Sequence, residues 1–338
     1  MPFVRYRSDR KSVYPDTSTL VYGLRELDGS ARAGCVWDAL CRVSRDGNLC
    51  LSFEHLLELA AQPARAVADA AALENLDYVW MYDLEHVEAA EVARLLLSAT
   101  TRQTAPAFPA APSLSSAFGR LNVEAASSLL SQAALPTLAT ALVAPELQRR
   151  RVELQRQGGV WARRFAADRQ TPIAAPRPAE EDAAQLDAQL MGLLRERTAL
   201  VHRELVSATN GDYLVRTDSG LLRFPDEAWA LGQLTLPWAE PNRMPSWFCY
   251  QTVARRVATD AGTRVFGTRF FESERRAGDL FDWSHVGVAA GYVDGFVCDA
   301  QTARYLEGAR PRLGLPSPIV FQNNDYERLA TELIRAIQ

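Results

Sequence analysis

The run Ser12-Val13-Tyr14-Pro15-Asp16-Thr17-Ser18-Thr19-Leu20-Val21-Tyr22-Gly23 begins with β-prone residues and then releases one acid and three hydroxyls into a turn, as a strand end does. Two other places in the chain echo it. Asn48-Leu49-Cys50-Leu51-Ser52 reads as a second strand, with Ser52 placed to cap a helix that starts near Phe53 and carries Leu56, Leu57, Leu59 and Ala60 on its apolar side. Near the other end, Gly295-Phe296-Val297-Cys298 is a short apolar strand that ends on Asp299. Strands that alternate with helical segments point to an α/β fold with a parallel sheet.

Outward from these anchors, helical periodicity runs through 64–76 and again through 84–97, where Val87, Val92, Leu95 and Leu96 recur at three- and four-residue steps. Between 100 and 116 the composition turns to Pro, Ala, Ser and Thr, which reads as a linker. Residues 117–168 and 180–207 are helical in pattern and rich in arginine at Arg149, Arg150, Arg151, Arg156, Arg163 and Arg164. Around 210–224 the turn Asp218-Ser219-Gly220 sits between two β-prone runs, as in a hairpin. Strand–helix alternation then resumes with helices over 245–261 and 279–290, the strand ending at Asp299, a helix to about 307, a strand over 317–321 and a helix over 326–337. The organisation expected is an α/β core in two halves, 1–100 and 245–338, interrupted by a mainly helical insertion over 101–244.

Composition narrows the function classes. In 338 residues, 48% hydrophobic and 23% charged side chains suffice for a real core, which rules out a disordered or fibrous chain. No apolar run reaches the ~18 residues of a bilayer span, and the opening residues lack the apolar centre of a secretory signal, so a cytoplasmic protein without a membrane partner is expected. Five cysteines without CxxC spacing read as reduced thiols rather than a zinc or dithiol site. A net charge of -4 gives no global attraction to phosphate, so nucleic acid would have to be held by local arginines. Lys11 is the single lysine, which excludes a P-loop, and there is no GxGxxG.

The acids carry the chemistry. Asp16 and Asp299 end strands, Glu58 lies on the helix after the second strand, and Asp279 and Asp282 open the helix before the last of them. In a parallel sheet all these positions fall on the edge where open α/β folds place their sites. Converging carboxylates repel unless a cation neutralises them, and an all-oxygen set suits Mg²⁺ or Mn²⁺. Each position also has an ordinary reading: Asp16 can cap a turn, Glu58 can be a solvated helix face with Glu54 the alternative acid, Asp279 competes with Asp282, and Asp294 can be an auxiliary acid or a loop cap.

Taken in order, Asp16-Thr17-Ser18-Thr19-Leu20, Leu51-Ser52-Phe53-Glu54-His55-Leu56-Leu57-Glu58-Leu59, and Asp279-Leu280-Phe281-Asp282-Trp283-Ser284-His285 followed by Tyr292-Val293-Asp294-Gly295-Phe296-Val297-Cys298-Asp299 resemble the PIN and PIN-like nucleases. The resemblance spans 12–99 and 245–338. It implies a PIN-like central parallel sheet flanked by helices, with an inserted helical subdomain, and a ribonuclease that holds Mg²⁺ or Mn²⁺ on Asp16, Glu58, Asp282 and Asp299. Asp279, Asp294, His285 and Ser18 would be auxiliary. RNA is the implied partner, with DNA a second substrate class and a homo-oligomer or a protein regulator as further partners. The competing reading is a catalytically inactive PIN-like module that binds nucleic acid or protein. Cys298 stands where the family often has a small hydroxyl. An adhesion domain of the von Willebrand type fails at Leu20, where a second serine belongs, and a haloacid-dehalogenase phosphatase fails at Ser18, where a second aspartate belongs.

Overall fold

The computed structural model describes residues 6–29, 35–101, 108–111, 240–263, 283–322 and 325–338, together with short stretches between residues 138 and 231. Its strands are β1 (Ser12–Tyr14), β2 (Asn48–Leu51), β3 (Tyr78–Trp80), β4 (Leu214–Thr217), β5 (Gly220–Arg223), β6 (Gly295–Asp299) and β7 (Ile319–Phe321). Five of them form one parallel sheet in the order β3-β2-β1-β6-β7. The central strand β1 pairs Val13 with Leu49 on one side and with Gly295 on the other, so both ends of the chain build the same sheet. The remaining two, β4 and β5, are antiparallel with Thr217 opposite Gly220, the hairpin expected around Asp218 and Ser219.

Alternate residues of each strand face opposite layers. Val13, Leu49, Leu51, Tyr78, Trp80 and Val297 join one buried cluster, while Tyr14, Cys50, Val79, Phe296 and Cys298 join another. Both faces are therefore apolar, as a parallel sheet covered on two sides requires. The first face is covered by α1 (Thr17–Leu27), α2 (Val36–Asp46), α3 (Phe53–Leu59), α4 (Ala66–Leu73) and, from the far end of the sequence, Leu329, Ala330 and Leu333. The second is covered by α7 (Pro245–Thr263), a π-helical turn over Val286–Ala290 and α8 (Ala300–Leu306). Between these lie α5 (Leu84–Thr101) and α6 (Leu138–Leu142), and α9 (Tyr326–Arg335) ends the described chain. Among the described residues no helix is long and apolar enough to cross a membrane.

Four stretches depart from the sequence reading. The turn expected after Asp16 is the helix α1, because Asp16 accepts the Thr19 backbone N–H at 2.9 Å and Leu20 and Leu24 then bury one turn apart. Helix α2 and the three-residue strand β3 were not anticipated; a run as short as Tyr78-Val79-Trp80 is too brief to show a period of two. Part of the Pro/Ala-rich stretch expected as linker instead lies along the edge of β3. Tyr82 N–H donates to Pro109 O at 2.9 Å and Ala111 N–H to Trp80 O at 2.6 Å, which shields that edge from other chains.

The entry to β6 is held by Arg310, which is fully buried. Its Nε donates to Pro316 O at 2.7 Å, one terminal nitrogen to Ala290 O at 2.5 Å, and the other to Val293 O and Asp294 O at 2.9 and 2.8 Å. Burial lowers its pKa to about 10, and the four carbonyls stabilise the cation in place of a carboxylate. Arg310→Met should cost at least about 3 kcal/mol in urea denaturation, because several buried carbonyls lose their donor at once. Arg310→Lys should not rescue it, since an ammonium cannot reach all four.

Candidate functional site

The strand order reverses direction between β1 and β6: the chain proceeds from β1 outward to β2 and β3, then returns to build β6 and β7 on the other side. Open α/β sheets place their crevice at such a point, at the carboxyl ends of the strands. Asp16 follows β1 there and Asp299 ends β6 there, so the topology brings the first and last of the expected acids to the same edge. Both are helix N-caps. Asp16 Oδ1 takes both Thr19 donors, the backbone N–H at 2.9 Å and the hydroxyl at 2.5 Å. Asp299 Oδ1 accepts from Gln301 N at 2.6 Å and Thr302 N at 3.1 Å.

Behind Asp16 lies a polar network in the interior. The Tyr14 hydroxyl, at the end of β1 and wholly buried, is 2.6 Å from Ser52 Oγ and 2.5 Å from His285 Nδ1. His285 Nε2 is 2.9 Å from Glu58 Oε2 and 3.4 Å from Thr17 Oγ1. A carboxylate only accepts, so Nε2–H donates to Glu58; Nδ1 faces the Tyr14 hydroxyl and accepts its proton whenever the ring is neutral. His55 closes the group from the other side: its Nδ1 accepts the Ser52 N–H at 3.0 Å and its Nε2–H donates to Pro15 O at 2.8 Å. Ser52 and His55 thereby form a capping box that starts α3, with an imidazole in the place of the usual glutamate.

Helix α3 also delivers two acids to this edge, Glu54 and Glu58, one turn apart. Glu54 is buried; Oε1 accepts the Leu84 N–H at 3.4 Å, and Oε2 has no partner among the described residues. Burial pushes its pKa up to about 7, against the pull of His285 and Ser52. Burial also acts on Glu58, but the charge and hydrogen bond of His285 and the Thr17 hydroxyl outweigh it and hold Glu58 below the ordinary value. Asp16 is raised by burial and further by Glu58, with Thr19 and His285 opposing. Burial drives His55 down to about 3, so its ring is neutral at ordinary pH.

Of the residues read from the sequence, the structure thus brings Glu58 and His285 into one polar network, sets Asp16 beside it, hydrogen-bonded to Thr19, and puts Asp299 on the same edge. Ser18 is exposed on the first turn of α1. Asp279 and Asp282 lie outside the described residues. Asp294 is not at this edge. It precedes β6, at the opposite end of the sheet from Asp299, where it accepts from Lys11 Nζ at 2.8 Å and from the Ser12 N–H and hydroxyl at 2.9 and 3.0 Å. Of its two readings, the loop cap holds and the auxiliary site acid does not. Tyr14, Thr17, Ser52 and His55 were not named as site residues; the Ser52-x-x-His55 spacing was the available signal, and nothing in the sequence singles out Tyr14.

Among the described residues no group of three or more His, Cys, Asp or Glu is placed to hold a metal ion. Asp16 and Glu58 fit a hard divalent cation in donor chemistry: both are carboxylates, and Asp16 is raised by burial and, to a lesser degree, by the charge of Glu58, both of which a cation would offset. Comparison with known proteins found no matching family model, no matching curated protein and no matching solved structure.

The two buried α3 groups titrate with opposite signs. Between pH 4.5 and about 7 the folded chain keeps a proton on Glu54 that the unfolded chain has released, so stability falls as pH rises through that window. Below 6.5 the unfolded chain protonates His55 while the folded ring resists until about 3, so stability is lost as pH falls. Glu54→Gln should therefore be more stable than the parent at pH 8, by on the order of 1–3 kcal/mol, and the gap should narrow towards pH 5. Denaturant titrations at the two pH values check this.

Proposed function

We propose that the protein is a metal-dependent nuclease of PIN-like type that hydrolyses phosphodiester bonds in single-stranded RNA. The observation that carries this reading is that Glu58, on the helix after β2, enters a polar network and Asp16, at the end of β1, lies within its electrostatic reach, beside the point where the strand order reverses. Asp16, Glu58, Asp282 and Asp299 would hold Mg²⁺ or Mn²⁺; Asp282 precedes His285 by three residues, and Asp299 shares the edge with Asp16. Such an ion supplies an activated water and neutralises the charge that grows on the phosphate. His285 orients Glu58 through the Nε2–Oε2 bond, and Tyr14 holds His285 in turn. No serine or cysteine nucleophile is needed; burial raises the Cys50 thiol above the range in which it could react. The arginines at 149–164, in the insertion over 101–244, would supply phosphate contacts. The reading places the protein in the cytoplasm, with DNA as a second substrate class and a homo-oligomer or a protein regulator as further partners.

A second reading, a PIN-like module that binds without turnover, is favoured by the work each acid already does. Asp16 and Asp299 cap helices, and Glu58 pairs with His285, so all three have structural reasons to be present.

The deciding experiment is a labelled-RNA time course with Mn²⁺ or Mg²⁺ and chelator controls. Cleavage by the parent is expected, with Asp16→Asn and Asp282→Ala folded and slower by more than about 100-fold, beyond the loss that follows from altering a residue that only supports a ligand. RNA affinity should fall steeply with salt although the whole chain is acidic. Mn²⁺ should raise the melting temperature of the parent but not of Asp16→Asn. Binding without cleavage, at equal strength in all three proteins, and no metal-induced stabilisation would establish the second reading.

A further inference from the structure

His285 has a second support, remote from the acids. It immediately precedes the π-helical turn Val286–Ala290, whose five residues are all buried. Turns of this kind are rare and are found frequently at functional sites. The turn is pressed against the start of α7: a Cβ on Gly291 would lie 2.6 Å from the Pro245 backbone, and the Ser246 hydroxyl donates to the Gly287 carbonyl. One carboxylate organises this junction. Glu91, on α5 and 1% exposed, accepts the Ser246 N–H at 2.6 Å, the Trp247 N–H at 3.2 Å and the Tyr292 hydroxyl at 2.5 Å. It caps α7 from another helix, in place of a residue of α7's own. Through Ser246 it holds the turn at Gly287, and through Tyr292 it holds the chain just beyond the turn. Burial raises the Glu91 carboxyl to about 8, and the three donors pull against that shift by favouring the ionised form.

We infer that Glu91 is a positioning residue for the candidate site: by holding Ser246 and Tyr292 together it sets where the Val286–Ala290 turn begins, and so where His285 meets Tyr14 and Glu58. The functional meaning of this rests on the nuclease reading, but its readout does not. The sequence has four histidines, and two of them, His55 and His285, donate Nε2–H to buried or half-buried acceptors in the same cluster. Among the described residues His55 hydrogen-bonds only to Ser52 and Pro15, at the ends of β2 and β1, and meets His285 only edge to face with ring centroids 4.9 Å apart, whereas His285 depends on the clamped segment. Imidazole N–H resonances therefore contain their own control.

The experiment compares ¹⁵N-labelled parent, Glu91→Gln and Tyr292→Phe by imidazole NMR, with helix content followed by circular dichroism. Glu91→Gln puts an amide against backbone donors, so the His285 Nε2–H resonance should be lost to exchange while that of His55 remains. Tyr292→Phe, which removes one bond and leaves no donor unpaired, should shift the His285 resonance without losing it, and it decides the matter if Glu91→Gln does not fold. Unchanged His285 resonances in folded Tyr292→Phe would overturn the inference. So would simultaneous loss of the His55 and His285 resonances, which would make Glu91 a support of the whole core. If the RNA assay shows no cleavage by the parent while the His285 resonance still responds to Glu91, the nuclease reading fails and the positioning role stands.

Discussion

A phenol hydroxyl at the end of the central strand has no route to water, and much of the site's arrangement follows from that. Tyr14 lies between β2 and β6, so its ring packs with Phe296 and Cys50 while its oxygen must be satisfied from within. A buried hydroxyl without partners would cost a few kcal/mol, so the partners have to be brought to it. Ser52 comes from the junction of β2 and α3, and His285 comes from a segment over 200 residues further along. Once His285 is committed to Tyr14 on one nitrogen, its other nitrogen faces Glu58. Glu58, at the strand edge, is thus oriented from the inside of the sheet.

The same edge shows how structural and chemical demands share atoms. A strand that runs straight into a helix leaves backbone N–H groups unsatisfied, and an aspartate at the junction satisfies them with one oxygen. Asp16 and Asp299 both do this with Oδ1. Capping therefore selects the residue type and the place that a hard cation also requires. It explains why a pattern of strand-end acids is a weak indicator when read from a sequence alone.

What was legible in the sequence is what short range determines. The runs ending at Asp16 and Asp299 read as strands because apolar, β-prone residues stop at a polar junction, and the alternation of strands and helices gave the parallel α/β class. Glu58 reads from the sequence as lying on a helix after a strand, and α3 carries it there. Helix α1 was missed because Asp16-Thr17-Ser18-Thr19 is as good a turn as it is a cap and first turn, and only the burial of Leu20 and Leu24 against α2 and the sheet tips the balance. Tyr14 and Glu91 were invisible for a different reason. Each is defined by partners far away in the chain, Glu91 by donors 155 to 201 residues on, and no local spacing records such a meeting.

Joining β1 to β6 also orders events during synthesis. Ser12 meets Asp294 across 282 residues, so while the ribosome works through the middle of the chain, β1 has β2 on one side and bare peptide groups on the other. That open flank is the kind of surface on which nascent chains stick to one another, and it persists for tens of seconds at ordinary elongation rates of about 5–20 residues per second. The chain must therefore keep its first half from associating wrongly until its last strands emerge, which gives a chaperone that shields unpaired strand edges its greatest effect on the yield of this protein during that interval.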